Sequence, residues 1–347
     1  MHGMVEKINR VYNRLQDEES RRLFDARLTY TIDKNTAPFF DAVGSMYEDW
    51  YSPQLEERLA ATHAKEIIVF GSGYMGVITK RLLTYWKRDA IGFCDIDRIG
   101  ETEDGMEILS VDAAVKNYPT ALYIISSRTH QKEMCAELKN RGVPEELILV
   151  PKYKYLYAIR SKQYFDLFNA SDDEVFVDAG SFDGGTIVDF ANWTGRKHKK
   201  VFAFEPMAQM IPAIQNTVRE NNISNIEIQN YAVWNRREEL YFEFAAAGSK
   251  VADSGVETVQ AVSIDEIVKD ERVTYIKMDV EGAEMRALMG AKRTIMKNRP
   301  RLAICIYHKP EDVFEIGNFI LDLVPEYKFY IRHYASNVWE TVLYAIP

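Results

Sequence analysis

Carboxylates follow two apolar segments in the second half of the chain. Asp178 ends the run Val175-Phe-Val, and Glu205 follows the run Val201-Phe-Ala-Phe. Short runs rich in β-branched and aromatic residues are typical of buried parallel strands. A carboxylate at one strand end can accept hydrogen bonds from an amine, and a carboxylate at the next can accept them from ribose hydroxyls. The pattern favours a ligand such as S-adenosylmethionine.

Glycines follow Asp178 in the stretch Ala-Gly-Ser-Phe-Asp-Gly, which contains Gly180, Ser181 and Gly184. Glycine lets the backbone turn tightly and approach a ligand without Cβ clashes. The spacing Asp-x-Gly-x-x-x-Gly differs from the G-x-G-x-x-G of dinucleotide sites. We therefore expect these three residues to line the cofactor site. Ala232, in Asn-Tyr-Ala-Val-Trp after the next strand, is expected to flank an adenine.

A second group of polar residues follows two later strands. Asp279, Glu281 and Glu284 crowd the junction of a strand and a helix, and His308 ends a buried strand. Ligands of open α/β sheets bind at the carboxyl ends of the strands, so these side chains should converge with Asp178. His308, Asp279 and Glu281 are candidates for the base that deprotonates an acceptor, and Asp279 is also expected to line the cofactor site. Histidine has the more suitable ordinary pKa, although His308 can equally cap the following helix.

The same carboxylates could instead bind a divalent cation that lowers the pKa of an acceptor hydroxyl. One aspartate with two glutamates is loose spacing for such a site, so no metal is predicted. Glu284 can equally be a first-turn residue that the helix dipole favours.

Several stretches of this half, taken in order, resemble the FkbM family of S-adenosylmethionine-dependent methyltransferases. They are Val-Asp-Ala-Gly, Phe-Glu-Pro, Asn-x-Ala-Val, Ile-Lys-Met-Asp-Val-Glu-Gly-Ala-Glu and Tyr-His-Lys-Pro-Glu-Asp. The stretch from Lys277 to Glu284 is the most specific, since many class I methyltransferases share the glycine turn. The resemblance implies S-adenosylmethionine as cofactor. It also implies methylation of an oxygen of a sugar, a glycan precursor or another small molecule, as in polysaccharide biosynthesis.

The predicted fold class is α/β, with two Rossmann-like domains and an N-terminal helical segment. In residues 173–347 we expect a seven-stranded class I methyltransferase sheet, with strands near residues 175, 201, 226, 274, 302, 328 and 341. The last strand should be antiparallel. An added hairpin is expected from Leu240–Phe244 and Val256–Val262, with a substrate lid at Ser249–Ser254.

The first half should comprise a helical segment (1–62), a small Rossmann-like domain (63–151) and a helical connector (152–172). Gly71, Gly73 and Gly76 form a G-x-G-x-x-G between a strand and a helix, with Asp95 at the next strand end. Formally this is a dinucleotide fingerprint. The segment also resembles small nucleotide-sugar-binding domains, through Ile-Val-Phe-Gly-Ser-Gly and Ile-Gly-Phe-Cys-Asp-Ile-Asp. It could hold part of a substrate, or its glycines could serve packing alone.

Two other functions fit the first half of the chain. One is an NAD-dependent nucleotide-sugar oxidoreductase, which the lack of a Tyr-x-x-x-Lys pair and of a second βαβαβ half weakens. The other is a non-catalytic nucleotide-sensing scaffold, which would bind ligands without turnover.

Composition limits the partners. The chain has 347 residues, a net charge of −9 and a pI near 5.4, which argues against broad binding to nucleic acid or anionic membranes. It has no run of the ~20 apolar residues that a membrane span needs. Three cysteines without metal-ligand spacing fit a reducing compartment. The N-terminus leads into a charged helix, so we expect a cytoplasmic protein, with the N-terminal helices available for a homo-oligomer contact.

Overall fold

Two units, each with its own sheet, make up the chain. Unit 1 comprises Met1–Lys34, Ser161–His333 and Trp339–Pro347, and unit 2 comprises Asn35–Arg160 and Tyr334–Val338. The structure is a computed structural model, and it describes residues 2–33, 39, 42–43, 53–62, 64–103, 105–127, 129–151, 162–243, 250–252, 257–335 and 338–347.

Helices and strands alternate through most of the chain, as the predicted fold class requires. The helices are α1 (His2–Tyr12), α2 (Glu18–Asp33), α3 (Pro53–Ala61), α4 (Tyr74–Tyr85), α5 (Val111–Asn117), α6 (Gln131–Asn140), α7 (Gly185–Trp193), α8 (Ile211–Glu220), α9 (Ile264–Val268), α10 (Glu284–Met289), α11 (Lys292–Asn298) and α12 (Asp312–Leu323). The strands are β1 (Ile67–Phe70), β2 (Gly92–Asp95), β3 (Thr102–Glu103), β4 (Met106–Ser110), β5 (Leu122–Ile125), β6 (Ile148–Leu149), β7 (Val175–Ala179), β8 (Lys200–Phe204), β9 (Ile226–Gln229), β10 (Ala232–Val233), β11 (Glu238–Glu243), β12 (Lys250–Ala252), β13 (Glu257–Val262), β14 (Tyr275–Met278), β15 (Arg301–Cys305), β16 (Lys328–His333) and β17 (Thr341–Ile346).

The main sheet of unit 1 has seven strands in the order β16-β17-β15-β14-β7-β8-β9. The strands from β15 to β9 are parallel, and β17 runs antiparallel to both β15 and β16. Parallel neighbours need helical crossovers, which cover both faces and explain why every residue of β7 and β14 is buried. This arrangement confirms the predicted seven-stranded sheet with an antiparallel last strand.

The added hairpin forms a separate small sheet. Strands β11 and β13 pair antiparallel, and the full order is β10-β13-β11-β12. The sequence did not predict β12, which pairs with β11. Residues 249, 253 and 254, half of the predicted lid, lie outside the described residues, and the other half, Lys250–Ala252, is strand β12.

The N-terminal helices of unit 1 pack on its main sheet. Lys7 of α1 contacts Glu315 of α12 at 2.6 Å, and the Nδ2 of Asn318 donates to the Lys7 carbonyl at 2.8 Å. At the start of α2, the Ser20 hydroxyl accepts from the Ile331 amide of β16 at 2.9 Å. The predicted segment 1–62 is thus divided, since α3 belongs to unit 2.

Asp17 caps α2 and holds it to β16. Its Oδ1 accepts from the Ser20 amide at 2.8 Å, and its Oδ2 accepts from Arg332 at 2.6 Å. Burial opposes ionisation, but these hydrogen bonds outweigh it and lower the pKa of Asp17 from 3.8 to about 2. The ionised form is therefore more stable in the folded chain than in the unfolded chain.

We expect Asp17→Asn to cost about 1–2 kcal/mol of unfolding free energy near neutral pH, a value reduced for partial exposure. The difference in unfolding free energy between this variant and the unaltered protein should have its full value above the ordinary pKa of 3.8. It should vanish as the pH falls through about 2. Urea unfolding at a series of pH values measures it. Asp322→Asn, at an exposed ion pair with Arg10, is the control and should change little. A pH-independent Asp17→Asn difference would contradict this explanation.

Unit 2 has a six-stranded sheet in the order β3-β4-β2-β1-β5-β6. Its strands are parallel except for the β3–β4 pair. Strands β1, β2, β5 and β6 lie where the sequence predicted strands. The nucleotide-sugar-binding resemblance of this unit stays a prediction.

The predicted helical connector lies partly outside the described residues, at 152–161. From Lys162 to Asp172 the chain forms turns and bends instead of a helix. Lys162 and Tyr164 have φ values of +63° and +72°, which right-handed helix does not allow. Phe165 then packs edge-on against Phe176 of β7, with ring centroids 5.9 Å apart. Among all residues that the structure describes, no helix has the length and apolar character needed to cross a membrane.

Candidate active site

The carboxyl ends of four strands of unit 1 carry the predicted site residues. Asp178 lies in β7, Glu205 follows β8, Asp279 follows β14, and His308 lies beyond β15. These strands are parallel neighbours, so their ends lie at one edge of the sheet. The structure therefore brings these predicted residues to a common edge.

Asp178 and Lys277 form a buried ion pair across β7 and β14. The two residues are register partners, and they are 0% and 2% exposed. The Lys277 Nζ lies 3.1 Å from Asp178 Oδ1 but donates its hydrogen bonds to the carbonyls of Gly180 (2.6 Å) and Ala179 (3.3 Å). Burial opposes the lysine charge, yet Asp178 and Asp279 outweigh it and raise the pKa of Lys277. The lysine is therefore a permanent cation.

Both oxygens of Asp178 are buried and accept no hydrogen bond from the residues that the structure describes. A buried carboxylate oxygen without a donor is costly. Asp178 therefore has acceptor capacity left for a ligand at the end of β7.

The glycine turn after β7 is built around a close backbone approach. Gly180 has a φ of +86°, and a Cβ on it would lie 2.0 Å from the Asp279 carbonyl oxygen. Gly184 also has a φ of +86°, where α7 begins. The Ser181 hydroxyl donates to the Asp178 carbonyl at 3.1 Å, so it fixes the turn. Gly180 is thus required by the junction of β7 with β14, whatever ligand binds there.

Glu205 connects the glycine turn to the end of β8. Its Oε2 accepts from the Phe182 amide and its Oε1 from the Met207 amide, both at 2.9 Å. The residue is 3% exposed, and burial raises the pKa of its carboxyl. Each oxygen keeps a lone pair that a ribose hydroxyl could use.

Ala232, predicted to flank an adenine, lies in β10. It pairs with Ala261 of β13 and is 6% exposed, within the core cluster of the small sheet. The adjacent Asn230 donates from its Nδ2 to the carbonyls of Glu205 (2.9 Å) and Pro206 (3.0 Å). Asn230 therefore ties this segment to the end of β8.

An acid–histidine cluster consists of Asp279, Glu281, Glu284 and His308. The His308 Nδ1 lies 2.9 Å from Glu284 Oε1, and its Nε2 lies 3.3 Å from Glu281 Oε2 and 3.6 Å from Asp279 Oδ1. Burial opposes a charge on the imidazole, but the three carboxylates outweigh it and raise the pKa of His308 to about 10. A protonated imidazole cannot accept a proton, which argues against the predicted use of His308 as the base.

Two tyrosines orient Asp279. The Tyr307 hydroxyl donates to Oδ1 and the Tyr164 hydroxyl donates to Oδ2, each at 3.1 Å. Burial raises the pKa of both hydroxyls, so they keep the protons they donate. Glu281 has a φ of +54° and a side chain that is 41% exposed. Non-glycine residues rarely adopt this conformation, and such strain clusters at functional sites.

The glycines of the predicted second nucleotide site have packing roles in unit 2. A Cβ on Gly71, whose φ is +99°, would lie 2.8 Å from the Ser126 carbonyl oxygen, and one on Gly76 would lie 2.0 Å from the Gly71 oxygen. Gly73 has nothing within 4 Å of its Cβ position. Two of the three glycines are therefore explained without a ligand.

Asp95 is bound by its own loop. Its Oδ2 accepts from the amide and the hydroxyl of Ser72, both at 2.7 Å, and its Oδ1 accepts from the Ile96 amide at 2.8 Å. These hydrogen bonds outweigh burial and lower the pKa of Asp95. The nucleotide site of unit 2 stays a prediction, and these contacts favour its packing alternative.

The sequence interpretation gave no role to Lys277, Tyr164 or Tyr307. A signal for Lys277 was present, because a lysine inside the apolar run Tyr-Ile-Lys-Met must be buried, and lysines are almost never fully buried unless paired. Tyr307 precedes His308 at a strand end, which hinted at the site. Tyr164 lies in a turn more than a hundred positions before Asp279, and no spacing rule could place it there.

A sheet of this order, with acceptor groups at the carboxyl ends of its parallel strands, has the architecture of the class I methyltransferase fold. Residues 178–331 match the family model described as the methyltransferase FkbM domain. That range contains Asp178, Glu205, Asp279 and His308. The residues of the candidate active site therefore lie within a match to the FkbM methyltransferase domain, which confirms the resemblance seen in the sequence.

The chain is similar in fold to methyltransferase FkbM from Methylobacillus flagellatus KT, with a TM-score of 0.54 and 20% identity over 94% of this chain and 99% of that chain. An rRNA methylase from Streptococcus thermophilus overlaps more narrowly, with a TM-score of 0.35 and 17% identity over 50% of this chain and 86% of that chain. A comparison with curated proteins gives no match.

Proposed function

We propose that the chain is an S-adenosylmethionine-dependent methyltransferase that methylates a hydroxyl of a small molecule, in particular a sugar or glycan precursor. The observation that carries the cofactor is the buried carboxylate of Asp178 beside the Gly180 turn, whose oxygens accept no hydrogen bond from the described residues. An amine would supply the donor that Asp178 lacks, and ribose hydroxyls could donate to the lone pairs that Glu205 keeps. The residues present therefore fit this cofactor.

Three groups would hold the cofactor. Asp178 would accept a hydrogen bond from the amine of its methionine part, Gly180 would allow a close approach of the backbone, and Glu205 would accept from the ribose. When bound, S-adenosylmethionine supplies a methyl group on a positively charged sulfur that is an excellent leaving group. The protein must hold an acceptor oxygen in line with that methyl.

Glu281 is the proton acceptor that the cluster favours. The Asp279 oxygens already accept from Tyr164 and Tyr307, and His308 carries a proton. The Glu281 carboxylate would take the proton of the acceptor hydroxyl as that oxygen receives the methyl group that S-adenosylmethionine would supply, with the thioether as the neutral leaving group. The other hydroxyls of a sugar could donate hydrogen bonds to the remaining carboxylate oxygens at this edge of the main sheet.

Calorimetric titration with S-adenosylhomocysteine tests this function. Asp178→Asn and Glu205→Gln should each weaken binding by about 10-fold to 100-fold, since each removes a hydrogen bond to a charged group. Asp95→Asn changes a strand-end carboxylate of unit 2 and is the matched control, with binding expected to be unchanged. NAD is titrated in parallel. The proposal would be contradicted if S-adenosylhomocysteine did not bind, or if both unit 1 variants bound it as tightly as the unaltered protein.

A further inference from the structure

Three residues of the acid–histidine cluster have the composition of a metal site. Asp279, Glu284 and His308 each place one ligand atom so that all three atoms lie within 4.8 Å of one another. They come from the end of β14, the first turn of α10 and the segment after β15. We infer that these three side chains bind a divalent transition-metal ion.

The surroundings of Glu284 are an independent indication that a cation binds here. The residue is 0% exposed, and its Oε1 accepts from the Val280 amide at 3.0 Å. Its Oε2 is buried and has no hydrogen-bond donor among the residues that the structure describes. An unsatisfied buried carboxylate oxygen is costly, and a bound cation would satisfy it.

The charges around the cluster also favour a cation. Asp279, Glu281 and Glu284 surround a single imidazole, while Lys277 is engaged with Asp178 and the Gly180 carbonyl. Such an excess of carboxylates around one imidazole is the environment that a cation would neutralise.

The geometry needs only a small adjustment. Two atoms that bind one ion at about 2.1 Å lie at most about 4.2 Å apart, so the ligand atoms must close by a fraction of an ångström. Tyr164 and Tyr307 already hold Asp279, and the Val280 amide holds Glu284. Outer contacts of this kind orient the ligands of metal sites.

The ligand set narrows the choice of ion. Imidazole suits zinc, iron and copper, whereas carboxylates suit manganese and magnesium. One imidazole with two carboxylates therefore fits Mn²⁺ or Zn²⁺ best. Three protein ligands leave positions for water or an acceptor hydroxyl, whose pKa the ion would lower; that last step rests on the proposed function.

The test is direct ion binding by the full chain, first stripped with a chelator. Mn²⁺ alone is titrated and followed by electron paramagnetic resonance, and Zn²⁺ alone is titrated by calorimetry. One ion should bind per chain, and Glu284→Gln and His308→Ala should each weaken binding by at least about 10-fold. Glu281→Gln removes a neighbouring charge outside the three-residue set, so it should weaken binding much less than Glu284→Gln.

Two results would overturn the inference: no stoichiometric binding of either ion, or equal losses for Glu281→Gln and Glu284→Gln, which would indicate diffuse attraction to negative charge. S-adenosylhomocysteine titration of the same variants provides the folding check and separates the two proposals. Ion binding without S-adenosylhomocysteine binding would support the metal site and contradict the proposed methyl donor. S-adenosylhomocysteine binding without ion binding would contradict only the metal site.

Discussion

Lys277→Met is expected to destabilise unit 1 by about 3–5 kcal/mol, which is typical when one partner of a buried ion pair is removed. The substitution leaves the carboxylate of Asp178, which is 0% exposed, without its neighbouring cation. It also removes the donor to the carbonyls of Ala179 and Gly180. Urea unfolding followed by circular dichroism measures the change in the free energy of unfolding.

The matched control is Lys200→Met in the adjacent strand β8. Lys200 also has an acidic partner, Glu227 at 2.9 Å, but its side chain is 29% exposed. A partly solvated pair contributes at most about 1 kcal/mol, so this variant should lie close to the unaltered protein. Similar losses for the two lysines would show that burial of the Asp178 pair does not matter.

A double variant separates charge from packing. Asp178→Asn combined with Lys277→Met contains no unpaired charge, so it should be more stable than Lys277→Met alone. It should nevertheless bind S-adenosylhomocysteine weakly, because the carboxylate is absent. A double variant less stable than Lys277→Met would contradict the electrostatic explanation.

The main sheet could be predicted because its signals are local. Strand β7 is a run of apolar residues that ends in a carboxylate and glycines, and the register of parallel neighbours then brings Asp178, Glu205 and Asp279 to one edge. The antiparallel β17 followed from the hairpin pattern near the end of the chain. These conclusions need only the residue types and the order of the strands.

The contacts inside the site could not be predicted in this way. His308 meets Glu284 at 2.9 Å across two elements, and their separation in sequence carries no metal-ligand spacing. The sequence interpretation therefore considered the carboxylates alone as metal ligands and kept His308, Asp279 and Glu281 as candidate bases. The proton on His308 is a consequence of three converging carboxylates, and their approach to His308 depends on how the end of β14, the start of α10 and the segment after β15 come together.

Similarly, the role of the N-terminal helices depends on which face they cover. The spacing of apolar residues in α1 predicted an amphipathic helix. It did not indicate which of the two units this helix packs against. Lys7 pairs with Glu315, and Asp17 with Arg332, so the partner side chains lie about 300 positions away. Such pairings follow from the fold and leave no mark on local sequence.

Gly180→Ala is expected to be about as damaging as the loss of the buried lysine. A Cβ at this position would lie 2.0 Å from the Asp279 carbonyl oxygen, far inside van der Waals contact, and the φ of +86° is itself unfavourable for alanine. The backbone after β14 would have to move, and Asp279 would move with it. We expect a loss of about 3 kcal/mol or more in unfolding free energy, together with loss of S-adenosylhomocysteine binding.

Gly195→Ala isolates the part of this effect that comes from φ alone. Gly195 also lies in unit 1, has a φ of +58°, and has nothing within 4 Å of its Cβ position. It should cost only about 1–2 kcal/mol, the penalty for a left-handed alanine, and leave cofactor binding intact. Urea unfolding and calorimetric titration of both variants make the comparison. If Gly180→Ala lost no more stability than Gly195→Ala and still bound S-adenosylhomocysteine, the close approach of the turn to β14 would not be what fixes a glycine there.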